Sequence, residues 1–491
     1  MSFDVARVRG LYPTLGSGIV HLEGTYSALQ PESVVRAIVS TLRWAPAQPG
    51  SRSERSRRAA VSVDEARRAI GDLVGAPAQS VVIGGSVSAL LTWFAAAVSR
   101  TWQLGDEVVL NRLDSDETAR VWSSAARAVG ATVHFAEADV ETGELPDWQY
   151  ESLVGRHTRL VTVPLANPVT GAVPDVKRIT EIAHGVGALV AVDAGAAATS
   201  LPLDLDASGA DLLTVQTQSF GGPTMAALGM AVGVRHEIER LPASVRRTLP
   251  LIGPLPVELL DGVTAAVDHL AALDEAATGS RRERLLTSVT SARGYQDRLF
   301  ERLDTMLRRI PGVTLIGAPV PRVPVFAFTI AGTLPNRVAD FLYSRGLSVW
   351  TGPHGMSELM TALGVDELGG AVHVGLMPYT THVEVDQLAI ALDDQALQVR
   401  QRAALGVLGI AQQSRGRGVG AGQVLGVPRG QAAAAHLFGE LAFAQGGIEL
   451  PGRPHRRREG HRAAHRLQAL LEGRRDFGAV EQLARPDATD P

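Results

Sequence analysis

A chain of 491 residues exceeds the usual size of one domain and predicts two or three, each able to bury its own core. A hydrophobic fraction of 45%, a charged fraction of 20% and a net charge of −4 describe an ordinary globular balance, with no overall bias toward nucleic acid or membrane. The absence of cysteine excludes disulfides, thiolate metal sites and a cysteine nucleophile, and it fits a reducing compartment. Residues 1–10 lack the apolar stretch of a secretory signal. No run of about 18 uncharged apolar residues is present to span a membrane, so a cytoplasmic protein is expected. Of the 47 basic residues only Lys177 is a lysine. Arginine keeps its proton and cannot attack an aldehyde, which leaves one side-chain amine for imine chemistry.

Taken in order, Val20-His21-Leu22-Glu23-Gly24 reads as a short strand. Gln30-Pro31-Glu32 then leads into a helix over 33–43, with Val34, Val35, Ile38, Val39 and Leu42 on its apolar face. Residues 46–58 are polar, rich in Arg and Ser, and predict a mobile loop before a helix over 64–74. Val81-Val82-Ile83 is a buried strand that runs into Gly84-Gly85-Ser86-Val87-Ser88-Ala89 and a helix to about residue 100. Such a turn can cradle an anion, because free backbone N–H groups and the helix dipole face one point. Turns of this kind also serve only to pack a helix on a strand.

Strands over 105–110 and 131–137 follow, with Arg112-Leu113-Asp114-Ser115-Asp116 after the first. A strand over 158–165 ends at Ala166-Asn167-Pro168, and a helix covers 174–184. Leu189 to Val192 form an apolar run closing on Asp193, as a buried parallel strand does where it meets a site. A second run over 212–215 enters Gln216-Thr217-Gln218-Ser219 and then Gly221-Gly222-Pro223. Residues 281–309 predict a long helix, 313–316, 323–330 and 348–350 predict strands, and Gly369-Gly370-Ala371-Val372-His373-Val374-Gly375-Leu376 completes the pattern. Strands alternating with helices indicate a doubly wound, mostly parallel sheet with ligands at its C-terminal strand ends. Ser86, Ser115, Asn167, Asp193 and Ser219 all follow such ends and can converge.

These motifs, in this order over roughly residues 15 to 394, resemble the class V aminotransferase and cysteine desulfurase family, which holds pyridoxal phosphate (PLP) on a fold-type I scaffold. The resemblance implies an α/β fold. Residues 1–25 would pack with a small domain, 26–262 would form a large domain with a mostly parallel sheet flanked by helices, 263–394 a smaller α+β domain, and 395–491 a low-complexity extension. It further implies that Ser86 and Ser88 meet the cofactor's phosphate, Asn167 its phenolic oxygen and Asp193 its pyridinium nitrogen. A homodimer and a small amino-acid-like ligand are expected on the same ground.

The chain also departs from the family pattern. Ser219 stands where the family's Lys forms the Schiff base, Ser115 where a His stacks on the ring, and His373 where an Arg grips the substrate carboxylate. Pro254 replaces a Thr that reaches the other subunit's phosphate, and Ala196 replaces a His or Gln against the ring oxygen. Loss of the Lys alone removes the amine and the base that shuttles protons at the substrate's α-carbon. Lys177 sits in a helical first turn beside Arg178 and Glu181, on a face read as solvated. Asp193 reads equally as a cap at a strand end. Among the 13 His there is no H-E-x-x-H metal motif, and no metal is expected.

Beyond residue 394 the texture changes. Ser414-Arg415-Gly416-Arg417-Gly418-Val419-Gly420 is low-complexity, Pro454-His455-Arg456-Arg457-Arg458 is basic, and 463–471 predicts one short helix. A solvated, partly disordered extension is expected. Three functions stay open: a catalytically degenerate homologue acting by binding, an active PLP enzyme with atypical cofactor chemistry or with Lys177, and nucleic-acid association through the basic extension.

Overall fold

The strand runs become two sheets in the computed structural model, which describes residues 3–25, 27–246, 249 and 255–416. The large sheet contains β1 (Val81–Gly84), β2 (Glu107–Asn111), β3 (Thr132–Ala136), β4 (Thr158–Pro164), β5 (Leu189–Asp193), β6 (Leu212–Gln216) and β7 (Ala226–Met230). Their order is β1-β7-β6-β5-β4-β2-β3. The pairs from β3 through β6 are parallel, whereas β7 runs antiparallel to both β1 and β6. The chain leaves β2 for β3 on one side and returns to β4 on the other. That reversal opens a crevice at the C-terminal ends of β2 and β4, where doubly wound sheets bind ligands.

Burial on both faces explains why these strands read as continuous apolar runs. Val109, Val161, Val190 and Leu213 point into one layer, and Val108, Leu110, Leu160 and Leu212 into the other. Helices α1 (Glu32–Arg43), α2 (Glu54–Val74), α3 (Val87–Val98), α4 (Asp116–Val129), α5 (Val176–His184), α6 (Val257–Ala271) and α7 (Arg281–Leu307) supply the covering layers. Ile70 of α2, Ile179 of α5 and Val263 of α6 belong to the first core, and Phe94 of α3 and Trp122 of α4 to the second. The start of α7 is set by a reciprocal cap in which Ser280 accepts from the Glu283 backbone and Glu283 accepts from that of Ser280.

The second sheet is antiparallel, in the order β10-β11-β9-β8, built from β8 (Val313–Leu315), β9 (Val325–Ile330), β10 (Trp350–Gly352) and β11 (Ala371–Gly375). The N-terminal strand Val20–His21 pairs in parallel with Leu347–Ser348, and Glu23 bridges to Gly375. Residues 1–392 form one compact unit, and residues 393–416 are described apart from it. A last helix, α8, spans His382–Gly416.

Two expectations change. Residues 54–58 are helical: Ser53 caps α2 by accepting from the Ser56 backbone, and Glu54 pairs with Arg57 and Arg58, so polar composition here marks an exposed first turn. On α1 the inner residues are Val34 and Thr41, while Val35, Val39 and Leu42 are 39%, 39% and 54% exposed. The apolar stripe is therefore wider than the face that α6 covers. The extension is helical up to Gly416. Pro254, the basic cluster at 454–458 and the helix expected over 463–471 lie outside the described residues. No helix among the described residues is long and apolar enough to cross a membrane.

Candidate functional site

The strand ends bring the singled-out residues to one edge of the large sheet, but most of them spend their polar atoms on the protein. Ser86 is the N-cap of α3, its hydroxyl accepting from the Ala89 backbone at 3.2 Å and lying 3.3 Å from the Ser88 hydroxyl. Ser115 plays the same part for α4, accepting from the Thr118 backbone at 3.2 Å and donating to the Thr118 hydroxyl at 3.0 Å. Asn167 is fully buried. Its amide nitrogen donates to Leu113 O at 3.0 Å and contacts Met356 Sδ at 3.3 Å, and its oxygen accepts from the backbones of Val169 and Thr170. Both amide hydrogens are thereby engaged within the protein.

Asp193 ends β5 half-buried, with Oδ1 accepting from Gly195 N at 2.9 Å and lying 3.5 Å from the Thr214 hydroxyl across on β6. Burial raises its pKa against the opposing effect of those hydrogen bonds. The neighbouring Asp114, in the turn after β2, is the more unusual carboxyl. Its Oδ2 accepts from Asn111 Nδ2 at 2.9 Å and from the Thr162 hydroxyl of β4, while Oδ1 is buried with no partner. Burial pushes its pKa to about 7, the Thr162 bond opposes the rise, and the Asp193 charge adds to it. A lone Asp at the end of an apolar strand was the only sign of this in the chain.

Ser219 lies in a short 3-10 turn after β6 and donates to Gln216 O at 2.7 Å. The turn is held by Gly222 N to Thr217 O at 2.8 Å and by the Thr217 hydroxyl, which donates to Pro223 O. Gly221 is required here: its φ is +87° and a Cβ would lie 2.8 Å from Leu29 O. His373 is fully buried on β11. Its Nε2 faces Gly352 O at 2.8 Å, so Nε2 carries the proton and Nδ1 is an acceptor, and Nδ1 has no partner. Burial, then the nearby His354, lower its pKa to about 4, so it is uncharged at neutral pH. The His354 ring packs edge-on against it at 5.1 Å.

A narrow cleft of about 20 Å³, room for about one water, lies between these parts. Ser219, Ala196, Thr199, Ser200, Thr25 and Gly375 are among its walls. Of the residues singled out beforehand, Ser219 and Ala196 reach it, with Asn167 and Asp193 one and two residues from the lining Pro168 and Gly195. Ser86, Ser88, Ser115 and His373 do not line it. Sequence reading missed Thr25, Thr199 and Ser200, which sit on irregular segments where no periodicity marks an inward side. Lys177 is exposed on the first turn of α5. Among the described residues no three His, Asp or Glu side chains group as a metal site.

The comparisons with known proteins agree with the fold. The family profile described as Aminotransferase class-V matches residues 20–242 and 281–388. An uncharacterized protein of Mycobacterium tuberculosis is 41% identical over 396 residues, which are 80% of this chain and 99% of that protein. A probable cysteine desulfurase of Mycolicibacterium paratuberculosis is 26% identical over 405 residues, 78% of this chain but 57% of the relative's length. Among solved structures, the cysteine desulfurase CsdA of Escherichia coli superimposes with a TM-score of 0.69 at 22% identity, over 81% of this chain and all of that one. The apo cysteine desulfurase of Thermococcus onnurineus gives the same TM-score at 21% identity, over 81% of this chain and 99% of the other. At those identities the structures speak to the fold.

Proposed function

Because the chain belongs to the class V aminotransferase family, whose members depend on PLP, we propose that it is a catalytically degenerate member that acts by binding a small molecule at the family's site. The observation that carries this reading is Ser219: the turn before Gly221-Gly222-Pro223 offers a hydroxyl already bonded to Gln216 O. Imine chemistry needs a neutral primary amine, and the one lysine, Lys177, is exposed on α5. On this reading the residues do not fit a covalently held PLP, and no chemical step runs through it. Asn167, with both amide hydrogens engaged, supports the same view.

Asp193 at its strand end and the Ser86-Ser88 turn at the start of α3 favour a second reading, in which PLP is retained without a covalent bond. Absorbance spectra of the purified protein with and without PLP, followed by borohydride reduction and peptide mass mapping, separate the possibilities. The expected result is no pyridoxyl-modified peptide. A modified peptide carrying Lys177, together with turnover abolished by Lys177→Ala, would establish an active enzyme instead.

We also propose a homodimer, on the strength of the stripe Val35, Val39 and Leu42 on α1. Leu42→Glu places a charge on that stripe and is expected to shift the sedimentation coefficient from dimer to monomer. A monomeric parent protein at micromolar concentration would end this proposal.

A further inference from the structure

The crevice between the ends of β2 and β4 is filled by the chain itself. Asn167, which follows β4, donates to Leu113 O, which follows β2, and Met356 Sδ caps the same amide nitrogen at 3.3 Å. Met356 comes from the segment after β10 and is only 5% exposed. A thioether is a weak acceptor, so the Asn167 amide gives up little on exchanging it for an oxygen. Asp114, next to Leu113, keeps Oδ1 buried and unpaired. One weakly bonded donor and one unpaired acceptor set this junction apart from the apolar packing around it.

The segment that carries Met356 is fastened from the large sheet. His354 and Gly355 take φ of +56° and +69°, and the left-handed region costs a residue that has a Cβ, so His354 holds its turn against its own preference. Met356 stands at the N-cap of the helix Ser357–Ala362 and has no oxygen with which to cap it. Asp116 of α4 supplies the cap instead. It accepts from Ser357 N at 3.0 and 3.1 Å and from the Ser357 hydroxyl at 2.8 Å, and its own N–H donates to Gly355 O at 2.8 Å. Arg112 pairs with Glu358 alongside. That pair is exposed and contributes little, whereas the carboxylate of Asp116 serves a helix-end donor with no partner of its own.

We propose that residues 353–358 are a strap that shuts the crevice, with Met356 as its plug and Asp116 as its latch, and that it opens while the rest of the fold stays intact. The proposal rests on reading the site as a binding site and names what controls entry to it. The strap must leave before a molecule reaches Asn167 or Asp114.

The chain contains no cysteine, so one introduced thiol reports alone. Met356→Cys places it on the plug. Ser80→Cys places it before β1, where the hydroxyl is fully buried and unpaired and the exchange nearly keeps its shape. Under excess N-ethylmaleimide, read by mass spectrometry, the plug thiol should label faster than the core thiol by about tenfold or more. Its rate should stay nearly flat in low urea while the core rate climbs, because local opening exposes little surface. Asp116→Ala should speed plug labelling about three- to tenfold, and Glu358→Gln less than about twofold. Hydrogen exchange on the parent chain reads the same event without a variant: the Asp116 amide should exchange faster than the amides of β4 by about tenfold or more. Plug and core thiols labelling at one rate with one urea dependence, or plug labelling indifferent to Asp116→Ala, would overturn the strap. Neither readout involves a ligand, so that result leaves the binding reading untouched, and a protein that takes up no small molecule would refute the binding reading while the labelling still decides the strap.

Discussion

Ser219→Lys, mixed with PLP and reduced with borohydride, is expected to acquire a near-stoichiometric pyridoxyl group at position 219, where the parent chain acquires none. The turn that would present the new amine is already built. Thr217 is anchored to Pro223 and Met225, and Gly221 takes the positive φ that lets the chain pass close to Leu29. An ammonium placed in a cavity whose walls carry no ionisable group is destabilised relative to the free amine. Its pKa therefore falls, and a larger share is nucleophilic at neutral pH. Peptide mapping after reduction reads the outcome directly. Failure of the variant to form the adduct would mean that the changes at Ser115, Ala196 and His373 have removed the grip on the cofactor along with the lysine. Adduct formation by the parent chain would remove the basis of the degenerate reading.

The second large effect concerns Asp114. Its carboxyl is faced by Asn111 from its own turn, Thr162 on β4, Tyr150 from the helix Trp148–Leu153, and Asp193 on β5. In the folded state its pKa is about 7, against about 4 for an Asp in an unfolded chain. A carboxyl whose folded pKa is raised holds more protons folded than unfolded between those values, so stability falls as pH rises. Stability from the protonated form is complete below about pH 4 and is lost as pH climbs through about 7.

Asp114→Asn keeps an acceptor for Asn111 and Thr162 and cannot ionise. Urea unfolding should find the stability of the variant relative to the parent rising by about 2 to 3 kcal/mol between pH 5 and pH 8. Groups remote from Asp114 titrate alike in both proteins, so the difference reads Asp114 together with its coupling to Asp193. A gap that does not widen with pH would show that the buried carboxyl finds compensation in solution, for instance from a bound cation.

Much of the architecture was legible because its causes are local. Parallel strands covered on both faces must be apolar throughout, so β2, β4, β5 and β6 stood out as short runs of Val and Leu. β7 was not foreseen, since Ala226-Ala227-Leu228-Gly229 lacks the β-branched residues that mark a strand. Residues 54–58 were read as a loop, because an exposed helical turn rich in Arg and Ser has the composition of one. On α1 periodicity marked the apolar stripe but could not say which part of it α6 would cover.

The chain by itself determined which chemistry has lost its reactive group: one lysine in 491 residues, and a serine before Gly221-Gly222-Pro223. Covalent reactivity belongs to atom types, and atom types are written in the residue order. Tertiary structure alone decided how the surviving polar groups are spent. Thr25, Thr199, Ser200 and Ser219 meet around one cavity from separate segments, Asn167 turns its amide inward, and Asp114 is buried with one oxygen unpaired. Burial and hydrogen-bond partnership depend on which distant segments come into contact, and these set the charge of a carboxyl or an imidazole as firmly as its identity does.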